Sequence, residues 1–174
     1  MKLKFEKLEN LKELVPEVIY NFVYKNKLEN KVKVAEINPD FADGQLLSEN
    51  YDVPLEIELN CIIVEGKRKD EIIYSAVVVP YGKKLNTGSP MKKLLNVSKI
   101  SFAPLEYVLN ETKMEFGSVT PIGLPTEWYI LVDEAVFNQD KVIIGGGYVK
   151  SKICVPSDIF KELPNVIISN EISK

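Results

Sequence analysis

The chain of 174 residues contains no histidine. That removes Ser-His-Asp and Cys-His catalysis and most catalytic zinc sites. Any chemistry has to come from carboxylates, lysines, hydroxyls, backbone amides or the substrate's own groups. Cysteine is nearly absent too: Cys61 and Cys154 each sit inside an apolar run. Two isolated cysteines make neither a disulfide framework nor a zinc site. They read as buried free thiols, and a reducing cytoplasm is expected, with no metal and no cofactor. Charge of one sign is lacking as well. A net charge of −3 exerts no bulk pull on a polyanion, so contact with nucleic acid would need a local basic patch. No apolar run approaches the roughly 18 residues of a membrane span. The opening MKLKFEKLEN is charged throughout and has no signal-peptide core.

What remains is ordinary globular material, 45% hydrophobic and 27% charged, in the length of one domain. Residues 4–27 read as helical, with Leu8, Leu11, Leu14 and Val15 at helical spacing and Pro16 opening a second helix. Residues 31–37 alternate as a strand. Residues 41–51 are helical after the turn Asn38-Pro39-Asp40. Residues 59–65 and 71–79 form a hairpin around Gly66-Lys67-Arg68-Lys69-Asp70. A short helix capped by Ser89 with Pro90 at its first position follows, then a strand over 97–102 and a helix over 104–112. Strands are expected at 128–132, 141–144 and 148–155. The last helix begins at Pro156-Ser157-Asp158, and a short strand covers 166–168. Interleaved helices, strands and hairpins predict a single α/β domain with a mixed sheet.

One stretch fits none of these elements. Gly117-Ser118-Val119-Thr120-Pro121-Ile122-Gly123-Leu124-Pro125 holds two glycines and two prolines and no charge. Prolines restrict such a loop, and glycines let a ligand approach its backbone. Amides held this way can grip a carbonyl, carboxylate or phosphate oxygen. A tight structural turn is the plain alternative.

This loop resembles the G-x-V-[ST]-P-x-G-L loop of the YbaK/EbsC family, the prolyl-tRNA-synthetase-associated editing domains. The resemblance extends over roughly residues 32–168. It takes in the hairpin at 60–79, Lys99-Ile100-Ser101-Phe102-Ala103-Pro104 and Ile130-Leu131-Val132-Asp133-Glu134. It also takes in Val142-Ile143-Ile144-Gly145-Gly146-Gly147 and the closing helix. Residues 34–39 and 51–54 resemble a stand-alone subgroup. The resemblance implies a mixed, partly barrel-like sheet flanked by helices, with an N-terminal helical segment over 1–31 packed on an editing domain over 32–174. It implies hydrolysis, in trans, of the ester of mischarged aminoacyl-tRNA, with the loop beside the aminoacyl group and the terminal adenosine.

The chain departs from the family at one telling place. Characterised members carry a lysine on the first hairpin strand, and Asn60 stands there in Asn60-Cys61-Ile62-Ile63. An amide can position a substrate oxygen or a water. It supplies no charge, and charge-assisted contacts are roughly twice as strong. Lys150 and Lys152 follow the glycine triplet and share a strand face. Lys152 is the better substitute cation, because the apolar run resumes directly after it; a solvated strand edge is the plain alternative. Lys67-Arg68-Lys69 and Lys83-Lys84 are candidates to track a phosphate backbone.

The expected site is therefore Asn60, Gly117, Thr120 and Gly123 for chemistry. Val119, Pro121, Ile122, Asp133, Gly145, Gly146, Gly147 and Lys152 would bind substrate. Backbone amides of 117–123 would stabilise the oxyanion, and the substrate ribose hydroxyl would help to activate water, so no protein base is required. Thr120 would orient the amino acid or the water, or only stiffen the turn. Asp133 would hold the substrate ammonium, or merely cap the following turn. Glu36 and Glu58 are left undecided at the pocket mouth. Val119, Ile122 and Leu124 would suit a small or medium side chain. The partner is aminoacyl-tRNA, with no membrane and no metal, and the chain is a monomer or a homodimer. The competing reading is an inactive module that keeps the pocket and binds aminoacyl-tRNA, a nucleotide or a protein. Hydrolysis of another small ester is a third. A Cys61 nucleophile lacks a base, and the glycine triplet lacks the spaced glycines and helix of a dinucleotide site.

Overall fold

A computed structural model describes residues 2–174. In place of an α-helix, the first stretch holds a two-residue strand, β1 (Glu6–Lys7), and two 3-10 turns at Leu8–Asn10 and Lys12–Leu14. The physical reason lies in the spacing: Leu8, Leu11 and Leu14 recur every three residues, which is the period of a 3-10 turn. Pro16 then caps helix α1 (Glu17–Lys25), which buries Ile19 and Val23.

Strand β2 (Lys33–Glu36) and helix α2 (Gly44–Tyr51) follow, α2 being capped by the Asp43 carboxylate, which accepts from the Gln45 N–H. The hairpin is longer than expected, with β3 (Leu59–Arg68) and β4 (Glu71–Pro80) meeting at a two-residue turn. Gly66 lies inside β3, because Val97 occupies the space a side chain would need there. Helix α3 (Ser89–Leu95) starts at Ser89 itself, with Gly88 as its cap. Strand β5 (Lys99–Phe102), helix α4 (Leu105–Thr112) and strands β6 (Tyr129–Asp133) and β7 (Lys141–Gly145) agree with the pattern. Strand β8 begins only at Ser151 and runs to Pro156. The expected closing helix is a 3-10 segment, Ser157–Glu162, before β9 (Val166–Ser169).

The strands form two sheets. One is antiparallel, in the order β1-β2-β8-β7; the other is mixed, in the order β5-β3-β4-β6-β9, with β4, β6 and β9 parallel. They meet at a single parallel bridge between Glu58 and Ile143. The sheet is not closed into a barrel, which corrects the partly barrel-like expectation. The main core lies between the sheets and includes Leu8, Ile19, Val34, Ile63, Val78, Ile130, Ile144 and Phe160. A second cluster packs α3 onto the opposite face of the mixed sheet through Met91, Leu95, Val77 and Leu131. Tyr107 of α4 stacks on Tyr74 of β4, with centroids 4.5 Å apart, and pins α4 to that sheet. No helix among the described residues is long and apolar enough to cross a membrane.

Candidate functional site

At the seam between the sheets lies a cavity of about 680 Å³. Strand β3 supplies its floor through Asn60 to Ile63, and β8 contributes Lys152 from the other sheet. Gly145 of β7 and Gly117 and Val119 of the proline-rich loop form another wall. Asn60, Gly117, Val119, Gly145 and Lys152 are thus brought together. The register explains the meeting. Lys152 pairs with Ala35 on one side and Gly145 on the other, and Glu58, which bridges to Ile143, begins the β3 side.

The inner end is polar. Lys152 is only 9% exposed, and burial lowers its pKa, opposed by the negative charges of Glu58 and Asp43. Glu58 is 3% exposed, and burial pushes its carboxyl up to about 7. The Ser48 hydroxyl and the Lys152 charge pull in the other direction, and Asp43 adds to the rise. The geometry agrees. Ser48 Oγ lies 2.8 Å from Glu58 Oε2 and 2.5 Å from the Val53 carbonyl oxygen. A hydroxyl carries one proton, so Ser48 divides its donation between the Glu58 carboxylate and the Val53 carbonyl. The Glu58 carbonyl accepts from the Tyr81 N–H at 2.9 Å, and the Tyr81 hydroxyl donates to Asp43 at 3.3 Å.

The rest of the loop and the glycine triplet serve packing. The Gly147 N–H donates to the Ser118 carbonyl at 2.9 Å, the Glu115 N–H donates to the Gly147 carbonyl at 2.7 Å, and the Ser118 hydroxyl donates to the Tyr148 carbonyl at 2.9 Å. A Cβ on Gly145 would meet the Ser118 carbonyl, and one on Gly147, at φ +84°, would meet Pro16 and Ile19. A Cβ on Gly146 would overlap the Ser151 side chain. Gly123 lies against the backbone of α1 at Val18. Gly123, Gly146 and Gly147 are therefore filled by protein and do not line the cavity. Gly117 differs: at φ +86° it has open space where a Cβ would point.

Other expected residues also lie outside the cavity lining. Thr120 is fully enclosed, its N–H donating to Met114 Sδ at 3.4 Å and its hydroxyl unpartnered among the described residues. Ile122 and Leu124 belong to the core beneath the loop, and Pro121 is buried beside them. Asp133 is buried at the end of β6, where it accepts from the Ala135 N–H at 2.9 Å and from the Ser173 hydroxyl. Lys150 is exposed in a turn before β8, its ammonium over the Tyr148 ring, so it does not share the strand face of Lys152. Burial pushes the Cys61 thiol up to about 12, the opposite of what a nucleophile requires.

Several lining residues were not singled out from the sequence: Asp43, Tyr81, Phe102, Leu105 and Phe116. Asp43 carries only a helix-cap signal. Phe116 carried a usable one, an aromatic in a polar stretch directly before the loop. Among the described residues, no group of three potential metal ligands is seen.

The aminoacyl-tRNA editing domain family matches residues 38–162. No curated protein sequence matches the chain. Among solved structures, a crystallised hypothetical protein aligns at a TM-score of 0.77 and 20% identity, covering 90% of this chain and 99% of the other. A protein described as "a putative trans-editing enzyme for prolyl tRNA synthetase" aligns at 0.76 and 14% identity, covering 91% and 96%. At these identities the likeness is one of fold.

Proposed function

The chain belongs to the aminoacyl-tRNA editing domain family, and from that premise we propose that it is a trans-acting deacylase of mischarged tRNA. The observation that carries this reading is Lys152. Among the described residues it is the one buried lysine, and it faces the same cavity as Asn60. The cation absent from β3 is supplied from β8, across the seam.

Water attacks the ester carbonyl carbon, the carbon–oxygen bond to the ribose breaks, and the amino acid leaves as its carboxylate. Lys152 stabilises the negative charge developing on the carbonyl oxygen in a site largely cut off from water. Asn60 positions that oxygen or the water through its amide. Gly117 lets the substrate come close to the loop backbone. Glu58, ionised and protonated in comparable amounts near neutrality, accepts the water's proton, the role a histidine commonly fills. The departing ribose oxygen takes that proton from Glu58 and leaves as its hydroxyl, and the released carboxylic acid gives its remaining proton to solvent.

Deacylation of a panel of mischarged tRNAs tests this directly. Turnover by the wild type that falls with Lys152→Ala supports the relocated cation. No turnover by the wild type, with activity appearing in Asn60→Lys, would establish the inactive binding module that the missing lysine on β3 otherwise favours.

A further inference from the structure

Among the described residues, the charged side chains lining the cavity are Glu58, Lys152 and Asp43. The first two have roles in the reaction, and Asp43 has none. Asp133, from which a grip on the substrate ammonium was expected, is occupied elsewhere by Ala135 and Ser173. The ammonium of an aminoacyl ester is thus left without an assigned counter-charge.

Helix α2 builds the position of Asp43. Asp43 is its cap, and Ser48, little more than a turn further on, contacts Glu58. Tyr81 joins the two from the end of β4. Its N–H donates to the Glu58 carbonyl and its hydroxyl to Asp43 Oδ2. Its ring fills the space beside Gly44, where a Cβ would come within 2.6 Å of it. Asp43 Oδ2 also accepts from the Gln45 N–H at 3.2 Å. Both bonds fall on the same oxygen. Among the described residues Oδ1 accepts none, and no lysine or arginine pairs with the carboxylate. Asp43 is therefore held in place with one oxygen free. Its charge reaches Glu58 and Lys152, raising the pKa of each.

Lys152 is a second and independent sign of a ligand. It is nine-tenths buried, lines the same cavity, and makes no hydrogen bond or ion pair among the described residues. A buried ammonium without partners has lost hydration that the protein does not replace. An open cation and an open carboxylate on one cavity match a ligand with an electron-rich oxygen and a positive nitrogen close together. The carbonyl oxygen and the α-ammonium of an aminoacyl ester sit on adjacent carbons.

We propose that Asp43 is the counter-ion of the substrate's α-ammonium and makes the cavity selective for esters with a free α-amine over esters whose α-nitrogen is acylated. The proposal rests on the editing reading for the identity of the ester. It adds a rule of selection to that reading. An ester with a formyl, acetyl or peptidyl group on its nitrogen carries no ammonium and leaves Asp43 unpaired.

The test uses the intact protein and non-hydrolysable ligands in which an amide replaces the ester. These are 3′-amino-3′-deoxyadenosine acylated on its 3′-nitrogen with alanyl, lactyl or N-acetylalanyl. The lactyl group puts a hydroxyl where the ammonium was, at nearly equal size, and so separates charge from bulk. Binding is followed by titration calorimetry at about pH 6, where an α-amine is protonated. Wild type is expected to bind the alanyl ligand about fivefold or more tightly than either of the others, since Asp43 is exposed and an ion pair open to solvent is worth about that much. Asp43→Asn keeps a good helix cap and is expected to bring the three affinities within about twofold, and Asp43→Glu to restore part of the preference. Equal binding of the alanyl and lactyl ligands by the wild type overturns the proposal. So does a preference that Asp43→Asn retains, or failure of all three ligands to bind. Deacylation of mischarged tRNA, measured in parallel, separates this proposal from the enzyme reading. Turnover without a preference for the free amine sinks the Asp43 subsite and leaves the enzyme standing. A preference that depends on Asp43, without turnover, sinks the enzyme and leaves an aminoacyl-binding module.

Discussion

At the inner end of the cavity Glu58 and Lys152 lie almost wholly out of water, whereas Phe102 and Phe116 at the rim are mostly in it. The usual distribution is inverted: charged groups are inside and aromatic ones outside. Each inversion costs stability. A buried carboxylate or ammonium loses hydration, and an exposed phenylalanine forgoes burial. The two costs fall on a single cavity, at opposite ends of it. This is the arrangement expected if the inner end does electrostatic work that water would weaken and the rim waits for an apolar partner. The two ends also differ in origin. The inner end needs both sheets, because Glu58 belongs to the β3 side and Lys152 to β8. The rim comes from β5, α4 and the start of the loop.

Removing the inner cation should break this contrast most strongly. Lys152→Met is expected to lower kcat/KM for mischarged tRNA about 10²–10³-fold, the usual loss for one preorganised oxyanion partner. Lys152 also holds the Glu58 carboxyl down. The variant's residual pH–rate profile should therefore shift its acid limb upward. A shift downward, or no loss of rate, would remove Lys152 from the chemistry.

Glu58→Gln comes next, with an expected loss of about 10²-fold. In the wild type the rate should rise with pH through about 7 as the base ionises, and the variant should lose that limb. Stability gives an independent reading. The Glu58 carboxyl titrates near 7 in the fold against 4.5 for the unperturbed group, so the native state holds the extra proton between those values. Stability therefore falls as pH rises through this window. Between pH 5 and 8 the wild type should lose about 2 kcal/mol relative to Glu58→Gln, readable by urea titration.

A smaller effect is expected where the two ends join. Gly117→Ala introduces a Cβ into open space but forces it into a left-handed backbone, costing about 1 kcal/mol of stability. The smallest belongs to the rim. Leu105→Ser should leave stability within about 0.5 kcal/mol, as exposed positions do. A loss of several kcal/mol there would mean that the rim is part of the core and not a free surface.

Much of the fold could be read directly. The hairpin, the short strands and α2, α3 and α4 follow from alternation, turn residues and caps. The errors have physical causes. Leucines spaced by three gave a 3-10 segment where a helix was expected, and Tyr148 and Lys150 lie in the turn that precedes β8. In the site, Lys152 was marked by the apolar run that follows it, and Asn60 by its place on the hairpin. The loop was marked by its glycines and prolines, but it divides into two parts. Gly117 and Val119 face the cavity, while Thr120 to Leu124 lie against α1 and the core. Nothing in nine residues reveals which part faces a ligand, because α1 arrives from almost a hundred positions upstream.

By itself the sequence determined what chemistry was available. Without histidine and with two cysteines in apolar runs, the chemistry left to the chain is that of carboxylates, lysines, hydroxyls and backbone. Residue type and short-range spacing are enough for that conclusion. Only the tertiary structure brings one particular carboxylate and one particular lysine to the same cavity. Glu58 and Lys152 are separated by 94 positions and meet because the two sheets join at one bridge. Their shifted acidities are properties of that buried seam. Burial, and the field of a distant charge, exist only once the chain has closed around them.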